Sequence, residues 1–183
     1  QQTEKIIRQA IDVGINFIDT ANIYGGGLSE EYVGKVLKDV PEPVLVATKV
    51  GMSRGKLPNE TGASRKHIID QVDISLRKLK RDYIDLYQIH QPDPDTKIEE
   101  TLRALDDLIH QGKVLYIGCS NFSTWQICEA IWVSKALNLN SFVSVQPDYS
   151  MLERHVEKEM IPFCTRYELG VLPYYPLARG FLT

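Results

Sequence analysis

The chain has 183 residues, 43% of them hydrophobic, and a formal charge of −3. That supplies enough apolar material for a real core in one domain. It leaves no dense Lys/Arg stripe to attract nucleic acid, and no apolar stretch near the roughly 20 residues that cross a bilayer. The first segment reads as a helix that stops near Gly14, and because the sequence starts at Gln1 without an initiator Met, a preceding segment is expected. Short apolar runs then alternate with helical patterns. The strand candidates are Ile15 to Ile18, Val44 to Ala47, Ile84 to Ile89, Leu115 to Ile117, Phe142 to Val145 and Val171 to Leu172. They recur about every 30 residues, the size of a βα unit.

The helices between them carry start and stop signals. Ser29 is a cap candidate for the second, with Leu28 and Val33 as a hydrophobic staple. Ile68, Ile69, Val72, Leu76 and Leu79 give the third an inward face. Thr96 and Glu99 fit a capping box for the fourth, with Leu102, Leu105, Leu108 and Ile109 as its buried stripe and Gly112 as its stop. Ser123 and Gln126 repeat the box before the fifth, on which Trp125 and Trp132 share a face expected to pack against a neighbouring helix. His67, His110 and His155 read as solvated, and Cys119, Cys128 and Cys164 as reduced small hydrophobes of a cytoplasmic protein.

Strands separated by helices imply parallel pairing through right-handed crossovers. No Gly-x-Gly-x-x-Gly opens a helix after an early strand, and a polar or reactive residue ends every strand: Asp19, Lys49, His90, Ser120-Asn121, Gln146 and Tyr174. This favours a parallel (β/α)8 TIM barrel, whose strand ends share one active face, over a doubly wound sheet. With six strands instead of eight, residues 1–183 read as a single barrel domain represented by an interior fragment. It lacks the first strand and the last strand with its helices. An open six-stranded piece exposes two edges and an apolar interior.

Four of these residues carry chemistry together: Asp19, Tyr24 five residues on, Lys49 and His90. A phenol near pKa 10 is a poor proton donor or acceptor at neutral pH. An adjacent ammonium is expected to lower it; a shift of about 3 units needs roughly 4 kcal/mol. Asp19 is expected to hold Lys49 charged and aimed, and His90 to donate a hydrogen bond to a substrate oxygen. Such a site protonates a carbonyl oxygen while hydride reaches carbon, and the hydride must come from a cofactor. Alone, Asp19 and Lys49 read equally as a structural ion pair. His90 also begins His-Gln-Pro-Asp-Pro-Asp, which raises a metal site with Asp93 and Asp95. No second histidine lies nearby, and the prolines indicate a loop. Gly25-Gly26-Gly27 lacks the Lys-Ser or Lys-Thr of a phosphate cradle and reads as a turn.

The chain resembles the aldo-keto reductase family. The matching segments are Gly14-Ile15-Asn16-Phe17-Ile18-Asp19-Thr20-Ala21 with Tyr24-Gly25, Ala47-Thr48-Lys49, Gln88-Ile89-His90, Gly118-Cys119-Ser120-Asn121-Phe122, Val145-Gln146-Pro147-Asp148-Tyr149-Ser150 and Tyr174-Tyr175-Pro176-Leu177-Ala178-Arg179-Gly180. They cover nearly the whole chain in family order. The resemblance implies an NADPH-linked reductase of aldehydes or ketones, without metal. It makes Tyr24 the general acid, Lys49 and Asp19 its tuners, and His90 the residue that orients the carbonyl. Ser120, Asn121 and Gln146 match the residues holding the nicotinamide carboxamide, and Tyr174 the aromatic stacked on its ring. Tyr175 departs from the serine often found beside the pyrophosphate, and Leu177 and Gly180 lie in the loop facing it. The family segment that grips the adenosine is absent, so NAD stands beside NADP as the cofactor, and the fragment by itself is expected to be inactive.

Some proteins similar to this family bind the dinucleotide beside ion channels, so a sensor or regulatory subunit with little turnover is the alternative reading. The partner is a small carbonyl compound whose identity the sequence does not give. The loop from Met52 to Gly62, with Lys56, Leu57 and Pro58, is the one segment long enough to form a pocket wall. No heptad or repeated apolar surface marks an oligomer interface.

Overall fold

A computed structural model describes residues 2–40, 43–52 and 60–183; Lys56, Leu57 and Pro58 lie outside these residues. Helices and strands alternate: α1 Gln2–Asp12, β1 Phe17–Asp19, α2 Leu28–Leu37, β2 Leu45–Val50, α3 Arg65–Leu79, β3 Ile84–Ile89, α4 Ile98–His110, β4 Val114–Ser120, α5 Thr124–Leu137, β5 Ser144–Gln146, α6 Met160–Tyr167 and β6 Gly170–Val171. The six strands pair parallel in sequence order. They form a curled half-barrel, the architecture of part of a (β/α)8 barrel.

Sheet register assigns the faces. Asp19 pairs with Ala47, Lys49 with Gln88, Gln88 with Gly118, Gly118 with Ser144 and Ser120 with Gln146. Registered neighbours and alternate residues share a face, so all these side chains look into the concave side. Val46, Val50, Tyr87 and Ile89 look outward and are buried with Ile68, Val72, Leu102 and Leu105 of the covering helices. On the concave side Leu45 is 45% and Tyr116 58% exposed, as an open sheet requires.

The stops fall where the sequence placed them. Gly14 and Gly112 take φ of 94° and 71° just beyond α1 and α4, a left-handed conformation that costs glycine little. The starts differ from expectation in two helices. Ser29 does not cap α2: Gly27 is the cap residue, and the Ser29 hydroxyl lies inside the helix, 2.7 Å from that of Thr20. Thr96 does not cap α4, where Lys97 is the cap residue, because its hydroxyl donates to Asp93 at 2.7 Å. In the Ser123–Gln126 pair, the Gln126 side-chain oxygen accepts from the Ser123 backbone N–H at 2.9 Å. Trp125 and Trp132 are 65% and 53% exposed and do not pack under a helix. His67 is buried in α3 and is not solvated.

Helices α2 and α3 meet at Gly34. A Cβ at this position lies 2.3 Å from the Lys78 carbonyl oxygen and 2.5 Å from the Leu79 carbonyl carbon. Both are backbone atoms with little room to yield. Gly34→Ala is therefore expected to destabilise the fold by about 1–3 kcal/mol, the usual cost of overpacking, despite alanine's better helix propensity. Equal or higher stability in urea denaturation contradicts this packing.

Candidate active site

The end of β2 brings Lys49 into the concave side with no solvent exposure. Its ammonium donates to Asp19 Oδ2 at 2.6 Å and to the Thr20 carbonyl at 2.8 Å. The other Asp19 oxygen accepts from Gln88 Nε2 at 3.2 Å. Burial pulls the Lys49 pKa down while the Asp19 charge and hydrogen bond oppose it. A buried ammonium with a charged partner at hydrogen-bond distance is the arrangement that keeps a lysine protonated.

Tyr24 stands over this pair. Lys49 Nζ lies 5.1 Å from its ring centroid, and the His90 ring meets it edge-on, with centroids 5.7 Å apart at 76°. Tyr24 begins a tight turn, Tyr24–Gly27, in which Gly25, Gly26 and Gly27 take φ of 59°, 69° and 93°. Three successive left-handed residues explain the glycine run. They return the chain to α2 within hydrogen-bonding reach of the strands. Asp19, Tyr24, Lys49 and His90 thus come from three neighbouring strand ends and meet.

The electrostatics correct one expectation. The Tyr24 phenol is raised above its usual pKa, first by burial and then by the Asp19 charge. The lowering expected from Lys49 is not seen: burial and the Asp19 charge set the direction, and both favour the neutral phenol. Tyr24 therefore stays a neutral phenol at physiological pH. His90 is lowered to about 4, by burial first and by Lys49 second, with Asp19 opposing. Its imidazole is neutral, and its buried Nδ1 has no hydrogen-bond partner among the described residues.

The ends of β4, β5 and β6 form the second half of the site. Ser120 Oγ donates to the Gln146 carbonyl at 2.8 Å. Asn121, at φ 61°, donates from Nδ2 to the His90 carbonyl at 2.9 Å and to Ser120 Oγ at 3.2 Å. Its Oδ1 accepts from the Tyr174 hydroxyl at 2.8 Å. Tyr174 and Tyr175 meet edge-on, with centroids 5.1 Å apart, and the Arg179 guanidinium lies 4.5 Å from the Tyr175 ring centroid. Tyr175, Ala178 and Arg179 all have positive φ, as does Gly180. Three non-glycine residues in a left-handed conformation mark a strained loop, of the kind that collects at ligand sites. Leu177 shapes it by accepting from the Gly180 and Leu182 amides.

Sequence reasoning missed the Gln88 contact to Asp19. Its signal was available: Gln88 precedes His90 by two positions on β3 and so shares its face. Asp93 is occupied as a loop anchor, accepting from the Ala63 amide at 2.7 Å, the Asp95 amide at 3.0 Å and the Thr96 hydroxyl. No cluster of three His, Cys, Asp or Glu side chains suited to a metal ion occurs among the described residues.

NMR titration of the His90 imidazole in wild type and two variants checks these electrostatics. The wild type is expected to stay neutral until the pH falls to about 4. Lys49→Met should move that midpoint up by removing a like charge, and Asp19→Asn should move it down. Because the folded pKa lies below the free value of 6.5, His90 contributes stability that is complete above pH 6.5 and is lost as the pH falls through about 4. A wild-type midpoint near 6.5 contradicts the burial argument.

Comparison with known proteins agrees with this layout. The model of the aldo/keto reductase family matches residues 1–183. Aldo-keto reductase YhdN of Bacillus subtilis (strain 168) is 40% identical over 179 residues, covering 97% of this chain and 52% of the relative. A "Probable voltage-gated potassium channel subunit beta" of Oryza sativa subsp. japonica is 38% identical over 187 residues, covering 100% of this chain and 57% of the relative. "Probable aldo-keto reductase 1" of Glycine max is 38% identical over 178 residues, covering 96% and 50%. The chain spans about half the length of these curated relatives. With its family model matched from end to end and its strand-end residues gathered on one face, the chain belongs to the aldo/keto reductase family.

Proposed function

We propose that these 183 residues are the catalytic portion of one barrel domain in a cytoplasmic, NAD(P)H-dependent reductase of aldehydes or ketones. The observation that carries the reading is the meeting of four groups: the Tyr24 ring over Lys49 and against His90, with Asp19 bonded to Lys49. The three free cysteines support a reducing compartment. Among the described residues no helix is long and apolar enough to cross a membrane.

The residues present fit a nicotinamide dinucleotide on two counts. Left-handed backbone at Tyr175 and again at Ala178, Arg179 and Gly180 is of the kind found in anion-binding turns, and it follows the aromatic Tyr174. His90 offers a buried ring nitrogen without a partner, beside the exposed edge of Tyr24. Ser120, Asn121, Gln146 and Tyr174 would hold and stack the nicotinamide, and the loop with Tyr175, Leu177 and Gly180 its phosphates. The adenosine half, and with it the choice of NADP or NAD, has no counterpart among these residues; NADP is the reading the family resemblance favours. When bound, the cofactor supplies a hydride to the carbonyl carbon.

This chain's own residues then handle the oxygen. His90, neutral, donates a hydrogen bond that orients the carbonyl. Tyr24, protonated because its pKa is raised, gives its phenolic proton to the oxygen as negative charge develops there. Lys49 stabilises the resulting phenolate at short range, and Asp19 and the Thr20 carbonyl fix the ammonium where it can do so. A phenol with a raised pKa is a weaker acid, so the fixed ammonium matters most at the moment of transfer.

A second reading is a dinucleotide-binding subunit with little turnover, favoured by the potassium channel subunit beta among the relatives. Oxidation of reduced cofactor with a panel of aldehydes by the full-length protein separates the two. The enzyme reading expects turnover that falls at least about 100-fold in Tyr24→Phe, the scale of a lost general acid, with dinucleotide binding retained. Binding without turnover in wild type establishes the second reading, and an unchanged rate in Tyr24→Phe overturns the mechanism. Residues 1–183 alone are expected to show negligible turnover, measured in the same assay.

A further inference from the structure

Behind the sheet, on the face away from the proposed catalytic groups, lies a charged residue that the mechanism does not use. Glu30, in the first turn of α2, has no solvent exposure. Its Oε1 accepts from the Thr48 hydroxyl at 2.7 Å, also fully buried. Its Oε2 has no hydrogen-bond partner among the described residues.

Thr48 precedes Lys49 on β2, and the two side chains leave the strand on opposite faces. Glu30 follows the Gly25–Gly27 turn by three residues. The Glu30–Thr48 bond therefore joins the helix that emerges from the Tyr24 turn to the strand position next to Lys49. A parallel bond, Thr20 to Ser29 at 2.7 Å, joins that helix to the residue after Asp19.

The turn is closed by its own backbone bonds, Tyr24 N–H to the Ala21 carbonyl at 3.1 Å and Gly26 N–H to the Ile23 carbonyl at 2.9 Å, and Lys78 Nζ donates to the Gly27 carbonyl at 3.2 Å. A Cβ at Gly26 meets nothing within 4 Å, and one at Gly25 meets only Leu28 Cβ, at 3.7 Å, so side-chain packing adds little at these two positions. The placement of Tyr24 then also depends on the anchored ends of the turn. One end is the strand, through the Asn22 amide on the Lys49 carbonyl at 3.1 Å. The other is the start of α2, and Glu30–Thr48 is its buried polar tie.

Stability is a poor reason for such a bond. Burying a carboxylate is costly, and apolar pairs of similar volume replace buried polar pairs with little loss or a gain. We infer that Glu30 and Thr48 are positioning residues: their bond holds the start of α2 against β2 and so sets the Tyr24 ring against Lys49. This rests on Tyr24 and Lys49 acting together as proposed above.

The test uses the full-length protein with Thr48→Ser, Thr48→Val and the double variant Glu30→Leu/Thr48→Val, with Tyr24→Phe alongside. Thr48→Val leaves the carboxylate without its donor and is at risk of misfolding; the double variant removes both polar partners and keeps the site filled. In the double variant kcat is expected to fall about 10- to 100-fold, the scale of a misplaced reacting group. KM and reduced-dinucleotide affinity, read by fluorescence titration, should stay within about 2-fold, since only the proton donor is displaced. Amide exchange at residues 24–28 should quicken in the same protein, and Thr48→Ser, which keeps the hydroxyl, should restore both. A folded double variant with wild-type kcat and wild-type exchange overturns the inference, as does Thr48→Ser behaving like the double variant. If Tyr24→Phe keeps full activity, the catalytic reading fails, and exchange at 24–28 alone decides the tie: quickened exchange upholds it, unchanged exchange overturns it.

Discussion

A lysine with no solvent exposure is the constraint around which the site is arranged. An ammonium at such depth is tolerated only with a compensating charge and its donor positions used. Asp19 and the Thr20 carbonyl meet that demand from the neighbouring strand. The demand also fixes register: β1 and β2 must pair so that Asp19 lies across from Ala47, two positions before Lys49. Everything that follows β1, including the glycine turn and the start of α2, is positioned relative to that pair.

The same compensation explains why the phenol is not acidified. A bare ammonium near Tyr24 would favour the phenolate, but an ammonium neutralised at 2.6 Å leaves burial and the carboxylate to decide, and both favour the neutral form. The site is therefore polarised without carrying a net charge at Lys49 and Asp19. His90 differs, since there the Lys49 charge does act, adding to burial against a second positive charge while Asp19 opposes it. Two neutral rings therefore face one ion pair.

Much of this was legible before any coordinates. Short apolar runs between helical patterns located all six strands, and the polar residue after each run marked the face they share. Gly14 and Gly112 were readable because a helix stop needs a left-handed residue. The misreadings have a common physical cause: sequence shows a residue's capacity and not its competitors. Ser29 and Thr96 are good caps in isolation, but Thr20 and Asp93 claim their hydroxyls. Trp125 and Trp132 keep a helical spacing that usually signals burial, yet both stay largely exposed, with the Lys135 ammonium lying on the Trp132 ring. His67 looked solvated because a lone histidine in a charged helix gives no sign of facing inward. Lys49 was marked as the cation for Tyr24, but which charge governs the phenol depends on distances, and distances are not written in spacing.

Asn121 gives the two halves of the site a mechanical connection. Its amide supports the backbone under His90 while its oxygen holds the Tyr174 hydroxyl, so one planar, rigid group spans from the third strand to the sixth. The Tyr174 hydroxyl and the peptide that carries the imidazole are therefore tied through the length of a single side chain. The aromatic beyond the sixth strand and the ring after the third in that sense hang from one bracket, fixed at a left-handed asparagine.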